Sequence, residues 1–576
     1  MASLIIGAGI LTYVHVKDRK AKKLEKAREA QDARYTELQM GHTPFQAQHG
    51  QPTIVVGQAK DMFAEPPAYT EALPRRSAIL ATGLGMDLLF SLKPSSLLDV
   101  GLVLLVVGYG LVTAFQRLFL SPIRHFPGSK LAALTRWYEF YYKVVLKGPY
   151  TFQIQKLHKQ YGPIIRVTPN EIHVDRYENP HFYEELFVES GELDKPDYFC
   201  NRFGTDNAFF TTSGHEHHKL RRGAVASFFS KRRITDSQAM IREKLSILTS
   251  KLAAYKQSGR IVRMDRAFTA LAGDVVTEFC FGKTYDHLNS PDFTETFHEA
   301  MAGAWYVRSQ IIDLPQLWPL LNSLPGRLVM KLEPSFHLHI QIQRDFEKTI
   351  TELKEGRQAS NATVLRLQQE AQVIIDAAIL TTSWALSMAA FHLVNEPALA
   401  EKIRLELLQV VPDSSAPSDW QQLERLPYLT GVVREGIRPA HGIASRIPRV
   451  AHRDVEFRGW TIPAGTPISM TIVDMNHNED VFPASFEFRP ERWMEDRKYN
   501  GNSLEKYFVG FGKGPRSCLG MNLATCLLYQ TLATVFRRHE FEVYETDVSD
   551  TRLAHDYFMP VPRLDSKGIR MRVVSV

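Results

Sequence analysis

The sequence has few cysteines and little excess charge, and both shortages narrow its possible functions. The four cysteines are too few for a disulfide framework in a chain of 576 residues. Lys and Arg exceed Asp and Glu by only 69 − 63 = 6, which gives no basic stripe of the kind that nucleic acid requires. We therefore expect a reducing compartment for the main domain and no nucleic-acid partner. The cysteines available for special chemistry are Cys200, Cys280, Cys518 and Cys526.

The composition is that of a globular protein, with 44% hydrophobic and 23% charged residues. Neither an internal repeat nor a low-complexity tract follows residue 120, and the apolar pattern there is mostly helical. Short strand patterns occur at Tyr161–Pro169 and Val455–Met470, and Pro463-Ala464-Gly465 predicts the turn of a hairpin. We predict a mainly α fold with a minor β-sheet.

The first 95 residues differ from the rest and are predicted to be an N-terminal extension, largely disordered. Its apolar start, Met1–Val16, carries no formal charge and is a weak candidate for a signal peptide or a membrane span. Residues 40–76 are polar and lack apolar periodicity. Within them, Pro66-Pro67-Ala68-Tyr69 matches the PPxY pattern that WW domains bind. A weak WW-domain contact is therefore one possible partner interaction.

Residues 96–120 are predicted to be a membrane anchor. The 17 residues from Val100 to Gln116 carry no formal charge, the lower limit for crossing a bilayer of about 30 Å at about 1.5 Å per residue. The basic residues Arg117, Arg124 and Lys130 follow, which favours a cytoplasmic catalytic domain over residues 121–576. A buried core helix is the alternative, and a second span at the N-terminus would reverse the orientation.

The most specific pattern is the Gly-rich loop from Phe511 to Gly520 with one cysteine, Cys518, just before a helical run. Glycines permit close approach of the backbone to a flat partner. Backbone N–H groups and the positive end of a helix favour the thiolate over the thiol. A single thiolate suits haem iron, whereas zinc requires several ligands. The alternative is a structural cysteine in a turn.

This loop resembles the signature FxxGxRxCxG of the cytochrome P450, or haem-thiolate, family. The match falls on Phe511, Gly514, Arg516, Cys518 and Gly520. The resemblance covers residues 121–576 and implies the P450 fold, a haem cofactor and Cys518 as the axial ligand of its iron. Segments from Phe126-Pro127-Gly128 to the strand pattern near Tyr161 are most similar to fungal secondary-metabolism members, such as trichodiene-oxygenase-like enzymes.

Two further motifs occur in the order that the family implies. Glu435-Gly-Ile-Arg438 matches ExxR, whose charges lie on one face of a helix, and Arg492 follows in Pro490-Glu-Arg-Trp. The resemblance implies a buried Glu–Arg–Arg network that stabilises the fold and takes no part in catalysis.

The resemblance also implies residues that bind the haem propionates. The segment His215-Glu-His-His218-Lys-Leu-Arg-Arg222 is similar to a fungal HxxHRxRR pattern, which assigns His218 and Arg222. Arg446 and Arg516 match two other propionate-binding arginines, and guanidinium suits carboxylate in charge and geometry. Phe511 and Gly520 complete the predicted cofactor contacts. Zinc binding by the histidines is a weaker alternative, because no further ligand is evident.

The apolar segment Glu370–Asn395 is similar to the helix that crosses the oxygen-binding side of the haem. A second membrane span is the alternative. The family pattern Ala/Gly-Gly-x-Asp/Glu-Thr is met only in part: Thr381 is present, but Ala378 replaces the glycine and Leu380 the acid. The resemblance gives Thr381 the catalytic role of holding a water for proton delivery. Asp376, one turn earlier, is a candidate substitute for the acid.

The resemblance implies a membrane-bound monooxygenase that inserts one atom of O2 into an apolar, terpenoid-like substrate with electrons from NADPH through a reductase. The expected location is the endoplasmic reticulum membrane, with the catalytic domain in the cytoplasm. A haem-thiolate isomerase, dehydratase or peroxide-using enzyme is one alternative, and a non-catalytic haem protein is another. By position, the substrate walls are predicted at Cys200–Thr211, Trp305–Trp318 and Ala377–Thr382.

Overall fold

The computed structural model describes residues 97–175, 181–189, 191–293, 298–299, 303, 336–355, 361–414 and 418–575. The predictions for the extension 1–95, for the PPxY motif at Pro66–Tyr69 and for the wall at Trp305–Trp318 lie outside these residues.

The described part of the chain is mainly α-helical, which confirms the predicted fold class. Shorter 3₁₀ and π turns extend several of the helices, for example at Gln116–Leu120 after the first and at Gly514–Arg516 before the last. The helices are α1 Leu97–Phe115, α2 Lys130–Leu134, α3 Trp137–Phe140, α4 Tyr150–Tyr161, α5 Phe182–Glu184, α6 Asp197–Cys200, α7 His215–Ala226, α8 Lys231–Asp236, α9 Gln238–Ser258, α10 Met264–Phe281, α11 Phe336–Glu355, α12 Asn361–Asn395, α13 Pro397–Val410, α14 Trp420–Leu423, α15 Pro427–Ala440, α16 Ile472–Asn476 and α17 Met521–Arg538.

The strands are short and form one five-stranded sheet and four smaller ones among the described residues. The larger sheet has the order β1-β2-β8-β5-β3, in which only β2 and β8 run parallel. The strands are β1 Ile164–Thr168, β2 Glu171–Val174, β3 Leu193–Asp194, β4 Val262–Arg263, β5 Arg449–Ala451, β6 Val455–Phe457, β7 Trp460–Ile462, β8 Pro467–Ser469, β9 Lys498–Tyr499, β10 Asn502–Ser503, β11 Glu540–Val543, β12 His555–Tyr557, β13 Met559–Val561 and β14 Arg570–Ser575.

The predicted hairpin exists, but its turn is not the one that the sequence suggested. β6 pairs with β7 around Arg458 and Gly459, both with positive φ. Pro463-Ala464-Gly465 instead links β7 to β8, and β8 belongs to the five-stranded sheet. Both turns contain a glycine at positive φ, so local residue preference could not decide which one closes the hairpin.

The main core lies between the long helices α9, α10, α12, α15 and α17. The apolar stretch of α12 supplies buried residues such as Ile375, Ile379 and Leu386 to this core. Within the segment Leu365–Asn395, 61% of the residues in the most apolar 18-residue stretch are buried. The alternative of a second membrane span is therefore wrong, because this helix packs inside the catalytic domain.

Helix α1 and the π turn after it present apolar side chains to the exterior. The segment Gly101–Leu120 has a mean hydropathy of 1.8, and no residue of its most apolar 18-residue stretch is buried. Leu105 is 72% exposed and Tyr109 76%. Removal of such an apolar surface from water is favourable, so the segment is suited to an apolar environment. The alternative of a buried core helix is wrong, and the segment is long and apolar enough to cross a membrane.

The end of this segment is attached to the catalytic domain by hydrogen bonds from arginine side chains to backbone carbonyl oxygens. Arg117 donates from Nη1 to the carbonyl oxygen of Leu134 at 2.5 Å. Arg166 of β1 donates to the carbonyl oxygen of Arg117 at 2.9 Å. Arg124 donates to the carbonyl oxygen of Phe119 at 2.7 Å. The three arginines therefore fix where the apolar helix leaves the folded domain.

Candidate active site

The loop before α17 places Cys518 on the wall of a large internal cavity. The backbone N–H of Cys518 donates to the carbonyl oxygen of Phe511 at 2.8 Å, which closes the loop. Gly514 has a φ of +74°, and a Cβ there would lie 2.0 Å from the carbonyl oxygen of Phe187. Only glycine fits this position. The predicted residues Phe511, Arg516, Cys518 and Gly520 all line the cavity.

Cys518 lines the cavity and is accessible from it, although nearby protein atoms exclude much of the bulk water. Burial raises its pKa, while a hydrogen bond from the backbone N–H of Gly520 and the positive charge of Arg222 act in the opposite direction. The space beside the Cα of Gly520 is open, since a Cβ built there would meet no atom within 4 Å. The sulfur is thus directed at a space that a flat ligand can approach closely.

Cys518 is the one cysteine among the described residues that line this cavity. No group of three or more His, Cys, Asp or Glu side chains suited to a metal ion occurs within the part of the chain that the structure describes. The weaker alternative of zinc binding at His215–His218 therefore gains no support. A metal that accepts one protein thiolate and takes its other ligands from a cofactor fits the arrangement.

Seven side chains that carry or can carry positive charge line the same cavity, and five of them are called the cation cluster below. No carboxylate lies among the described residues that line the cavity. The Nη1 group of Arg516 donates to the carbonyl oxygen of Thr212 at 2.8 Å, but its buried Nε has no hydrogen-bond partner among the described residues. The members of the cation cluster are Lys195, His218, Arg222, Arg449 and Arg516.

Burial without a counter-ion disfavours the charged forms of these groups. Burial lowers the pKa of Arg516 to about 10. Burial and repulsion from Arg516 lower the pKa of Arg449 to about 10 and that of His218 to about 3. Burial, followed by repulsion from Arg449, lowers the pKa of Lys195 well below its usual value. Since burial of unpaired cations is costly, the cluster fits a ligand with carboxylates, such as the propionates of haem.

Arg446 does not belong to this cluster, which corrects the prediction. Its guanidinium is 5% exposed and forms ion pairs with Glu139 and Glu171. It does not line the cavity, whereas Arg449 does. The two arginines are three positions apart in Arg446-Ile-Pro-Arg449, and strand β5 begins at the second. The strand sets the direction of the Arg449 side chain, which sequence spacing alone could not reveal.

The wall formed by α12 carries the hydroxyl that the sequence predicted. The side chains on its cavity face recur at helical spacing and include Ala377, Ala378 and Thr381. The hydroxyl of Thr381 donates to the carbonyl oxygen of Ala377 at 2.6 Å. Its oxygen retains lone pairs that can accept a hydrogen bond from a ligand or a water.

Leu380 and Asp376 lie off this cavity face. Leu380 packs against an aromatic cluster that includes Phe203 and Phe558. Asp376 is 5% exposed and accepts a hydrogen bond from the side-chain amide of Gln372 at 2.7 Å. Neither residue lines the cavity. The arrangement does not support the hypothesis that Asp376 substitutes for the missing acid.

The loop Cys200–Thr211 contributes to the wall at the α12 side of the cavity. Phe209 and Phe210 line the cavity. The backbone N–H of Phe209 donates to both carboxylate oxygens of Glu370, at 3.1 and 3.0 Å, which ties the loop to α12. Two of the three predicted substrate walls thus border the same space, and their lining side chains are apolar or aromatic apart from Thr381 and Thr382.

The predicted Glu–Arg–Arg network is present beside the site. The carboxylate of Glu435 accepts hydrogen bonds from Arg438, at 3.1 and 2.7 Å, and from Arg492 at 3.0 Å. The indole N–H of Trp493 donates to the same carboxylate at 2.9 Å. Glu435 and Arg438 are fully buried. The network holds α15 against the segment that follows β8 and does not reach the cavity.

Several polar cavity residues, among them Lys195, Arg449 and His441, have no counterpart among the predictions. Lys195 directly follows β3 and donates from Nζ to the carbonyl oxygen of Phe210 at 2.5 Å. Arg449 begins β5, and His441 ends α15 with a positive φ of 60°. A lysine in an irregular segment gives no sequence signal. The only sequence signal for His441 and Arg449 is that several polar or charged residues interrupt the apolar stretch that follows α15.

Comparison with known proteins agrees with this geometry. The cytochrome P450 family model matches residues 133–564. The chain is 37% identical to cytochrome P450 monooxygenase sdnE of Sordaria araneosa, over 82% of this chain and 98% of that protein. It is 36% identical to tryptophan 6-hydroxylase fscE of Fusarium equiseti, over 80% of this chain and 94% of the other. It is also 36% identical to N-acetyltryptophan 6-hydroxylase ivoC of Emericella nidulans, over 84% and 98%.

Proposed function

Because the chain belongs to the cytochrome P450 family, we propose that Cys518 is the axial ligand of its haem iron and that the cation cluster holds the propionates. The protein is a haem-thiolate monooxygenase of the type found in fungal secondary metabolism. The observation that carries the assignment is one cavity whose described lining contains a lone thiol, seven groups of positive or potentially positive charge, among them the cation cluster, and no carboxylate. Bound haem supplies the oxygen-activating chemistry.

The roles of the surrounding residues follow from their contacts. The N–H of Gly520 stabilises the sulfur in its anionic form. The guanidinium groups of Arg449 and Arg516 regain a counter-ion when carboxylates enter, which offsets the cost of their burial. Phe511, at the other end of the loop, covers the cavity wall next to the sulfur. The hydroxyl of Thr381 positions a water or a polar ligand group on the opposite wall.

The same walls support an apolar substrate with a ring system. Phe209 and Phe210 offer aromatic faces, and Ala377 and Ala378 keep the α12 wall shallow. Two similar proteins are named hydroxylases of tryptophan or N-acetyltryptophan, which favours C–H hydroxylation as the reaction. The terpenoid character of the substrate remains a prediction. O2 and electrons from a reductase are the co-reactants that the family implies.

The apolar segment Gly101–Leu120 supports attachment to a membrane. We place the catalytic domain on the cytoplasmic face of the endoplasmic reticulum, because Arg117, Arg124 and Lys130 follow the segment. Fractionation of cells, followed by protease treatment of sealed vesicles, tests this placement. Protection of the catalytic domain by intact vesicles would reverse the orientation.

A spectroscopic experiment tests the iron ligand directly. Cys518→Ala should abolish the thiolate-type absorption band of the reduced carbonyl complex, because no other described thiol lines the cavity. Cys526→Ala, in the following helix and fully buried in the core, is the matched control and should retain the band. A band that survives in Cys518→Ala would overturn the assignment.

Product analysis tests the reaction. Extracts of cells with and without the gene, compared after NADPH-dependent turnover, should differ by a product that carries one additional oxygen atom. An isomerised or dehydrated product, formed without NADPH, would favour the alternative reaction classes. The non-catalytic alternative predicts a normal carbonyl spectrum with no new product.

A further inference from the structure

A second cavity lies next to the active-site cavity, and one histidine belongs to both linings. The second cavity is lined by polar and charged groups from several elements, among them α4, α12, α16 and the segment after β11. His441 lines this cavity and the cavity that contains Cys518. The polar or titratable lining residues include Gln155, His158, Lys159, Asp175, His392, His441, Asp474, His477, Glu479, Thr551 and Arg552.

The polar lining indicates that water fills the second cavity. The buried Nδ1 atoms of His392 and His441 have no hydrogen-bond partner among the described residues. Such atoms are satisfied by ordered water when a cavity is polar and roomy. Asp474 and His158 also lie on this wall, with hydrogen bonds to Gln155 at 2.7 Å and to the carbonyl oxygen of Gly162 at 2.8 Å. The carboxylate of Asp474 can accept a further hydrogen bond from water, whereas both ring nitrogens of His158 are engaged, the second with Nδ1 of His173 at 2.7 Å.

His441 forms part of the wall between the two cavities. Its side chain is 2% exposed, and its φ of 60° places it in the left-handed region, which few residues other than glycine adopt. Its ring centroid lies 5.0 Å from that of His477. His477 in turn stacks on Phe486, 4.2 Å between centroids, and Phe486 is 64% exposed. A continuous row of rings therefore leads from the protein surface to the active-site cavity.

The active-site cavity needs a proton source that α12 does not provide. Monooxygenation consumes protons together with electrons, since one atom of O2 leaves as water. Leu380 stands where an acid would precede Thr381, and Asp376 is engaged with Gln372 away from the cavity. Apart from the cation cluster, Tyr183 and the Cys518 loop, His441 is the only titratable group among the described lining residues.

The protonation state of His441 suits transfer without accumulation of charge. Burial, together with the nearby positive charge of Arg438, lowers the pKa of His441 to about 3. The ring is therefore neutral near pH 7, with one N–H donor and one nitrogen acceptor. A neutral imidazole can accept a proton at one nitrogen while it releases the proton held by the other, so the net charge of the ring is unchanged.

We propose that His441 is a proton-relay residue that connects water in the second cavity to the active-site cavity and takes the place of the missing acid. The proposal rests on the proposed monooxygenase function. In each transfer, a hydronium ion that reaches the second cavity from solvent gives its proton to one ring nitrogen and becomes water. The N–H of the other nitrogen gives its proton to water at the haem side, and rotation of the ring restores the starting tautomer. The electrons come separately, from the reductase. His441 acts through water and does not contact the reacting atoms.

The first experiment requires no turnover. In the ferric haem-loaded protein, relaxation of bulk-water protons by the iron reports how fast protons of the active-site cavity exchange with solvent. His441→Phe keeps a ring but removes both nitrogens, and it should slow this exchange by about tenfold or more. His539→Phe, which changes a buried histidine that lines neither cavity, is the matched control and should leave the exchange rate unchanged.

The second experiment follows turnover. His441→Phe should release several-fold more hydrogen peroxide per NADPH and enlarge the solvent isotope effect on NADPH oxidation, while His539→Phe, outside both cavities, behaves as the unaltered enzyme. His441→Gln, which retains hydrogen bonding but cannot exchange ring tautomers, should show the same direction of change and replaces His441→Phe if the latter fails to bind haem.

The outcomes separate this proposal from the proposed function. Unchanged water relaxation and unchanged peroxide release in a haem-loaded His441→Phe or His441→Gln protein would overturn the relay. Slower proton exchange in a protein that oxygenates no substrate would support the relay and refute the monooxygenase assignment instead.

Discussion

Arg446 donates from both terminal nitrogens to the carboxylate of Glu139, at 2.9 and 2.8 Å. Its Nε donates to Glu171 at 2.6 Å, and all three side chains are buried. The two carboxylates come from α3 and β2, so the arginine joins the start of the catalytic domain to its main sheet. Arg449, three residues later, faces the cavity and has no carboxylate partner there.

The same substitution should affect stability at Arg446 and haem binding at Arg449. Arg446→Met should destabilise the protein by about 3–5 kcal/mol, because the buried Glu171 loses its ion-pair partner and Glu139 keeps only Lys143. Arg449→Met should lower haem content with little loss of stability, because it removes a buried cation that has no carboxylate partner among the described residues. Thermal unfolding and the haem-to-protein absorbance ratio measure the two effects. Loss of haem at an unchanged melting temperature in Arg446→Met would contradict the assignment.

Thr381 and Asp376 should differ in their effect on coupling. Thr381→Ala removes the hydroxyl that lines the cavity and should increase peroxide release per NADPH. Asp376→Asn preserves a buried polar side chain that can still bond Gln372, so product per NADPH should remain unchanged. Both are measured with the true substrate. A loss of coupling in Asp376→Asn would restore the hypothesis of a relay along α12.

His539 should make the fold sensitive to acid. The residue is 2% exposed, and neither ring nitrogen has a hydrogen-bond partner among the described residues. Burial lowers its pKa to about 4, from about 6.5 in an unfolded chain. The unfolded state binds the proton first as pH falls from about 6.5 to about 4, so stability decreases there by up to about 1.4 kcal/mol per pH unit.

The His539→Phe variant isolates this contribution. Its melting temperature, relative to that of the unaltered protein, should rise as pH is lowered from 6.5 to 4, because phenylalanine gains no proton on unfolding. Above pH 7 the two pH profiles should run parallel. Parallel profiles over the whole range would show that the buried imidazole does not govern acid stability.

Two truncations should distinguish the anchor from its attachment point. Deletion of residues 1–115 removes α1 but keeps Arg117, which binds the carbonyl oxygen of Leu134. This form should bind haem and leave the membrane fraction. Deletion of residues 1–120 also removes Arg117 and the carbonyl that accepts from Arg166, so its melting temperature should be lower. Tight membrane association of the shorter deletion would indicate another membrane-binding surface.

The sequence by itself determined the chemistry of the site because the defining groups are close together in the chain. Phe511 to Gly520 form one loop whose conformation depends on its own glycines and on the helix that follows it. ExxR likewise depends on helical spacing, which places Glu435 and Arg438 on one face. The apolar segment before residue 120 is also a local property, legible from hydropathy alone.

Only the tertiary structure decided which charged residues face the cavity. Arg446 and Arg449 differ by three positions, and the choice between them depends on β5 pairing and on the distant carboxylates Glu139 and Glu171. Lys195 reaches the cation cluster because β3 pairs with β5 at the edge of the main sheet. Such placements depend on contacts between residues far apart in sequence, which no local pattern encodes.

The same limit applies to burial and to the second cavity. The apolar stretch of α12 satisfied the composition of a membrane span, and only its packing against α10, α15 and α17 showed it to be a core helix. His441 borders both cavities because the end of α15, the residues after α16 and the C-terminal part of the chain converge there. Hydropathy reports how favourable burial is, but the partner that covers a surface is determined by the fold.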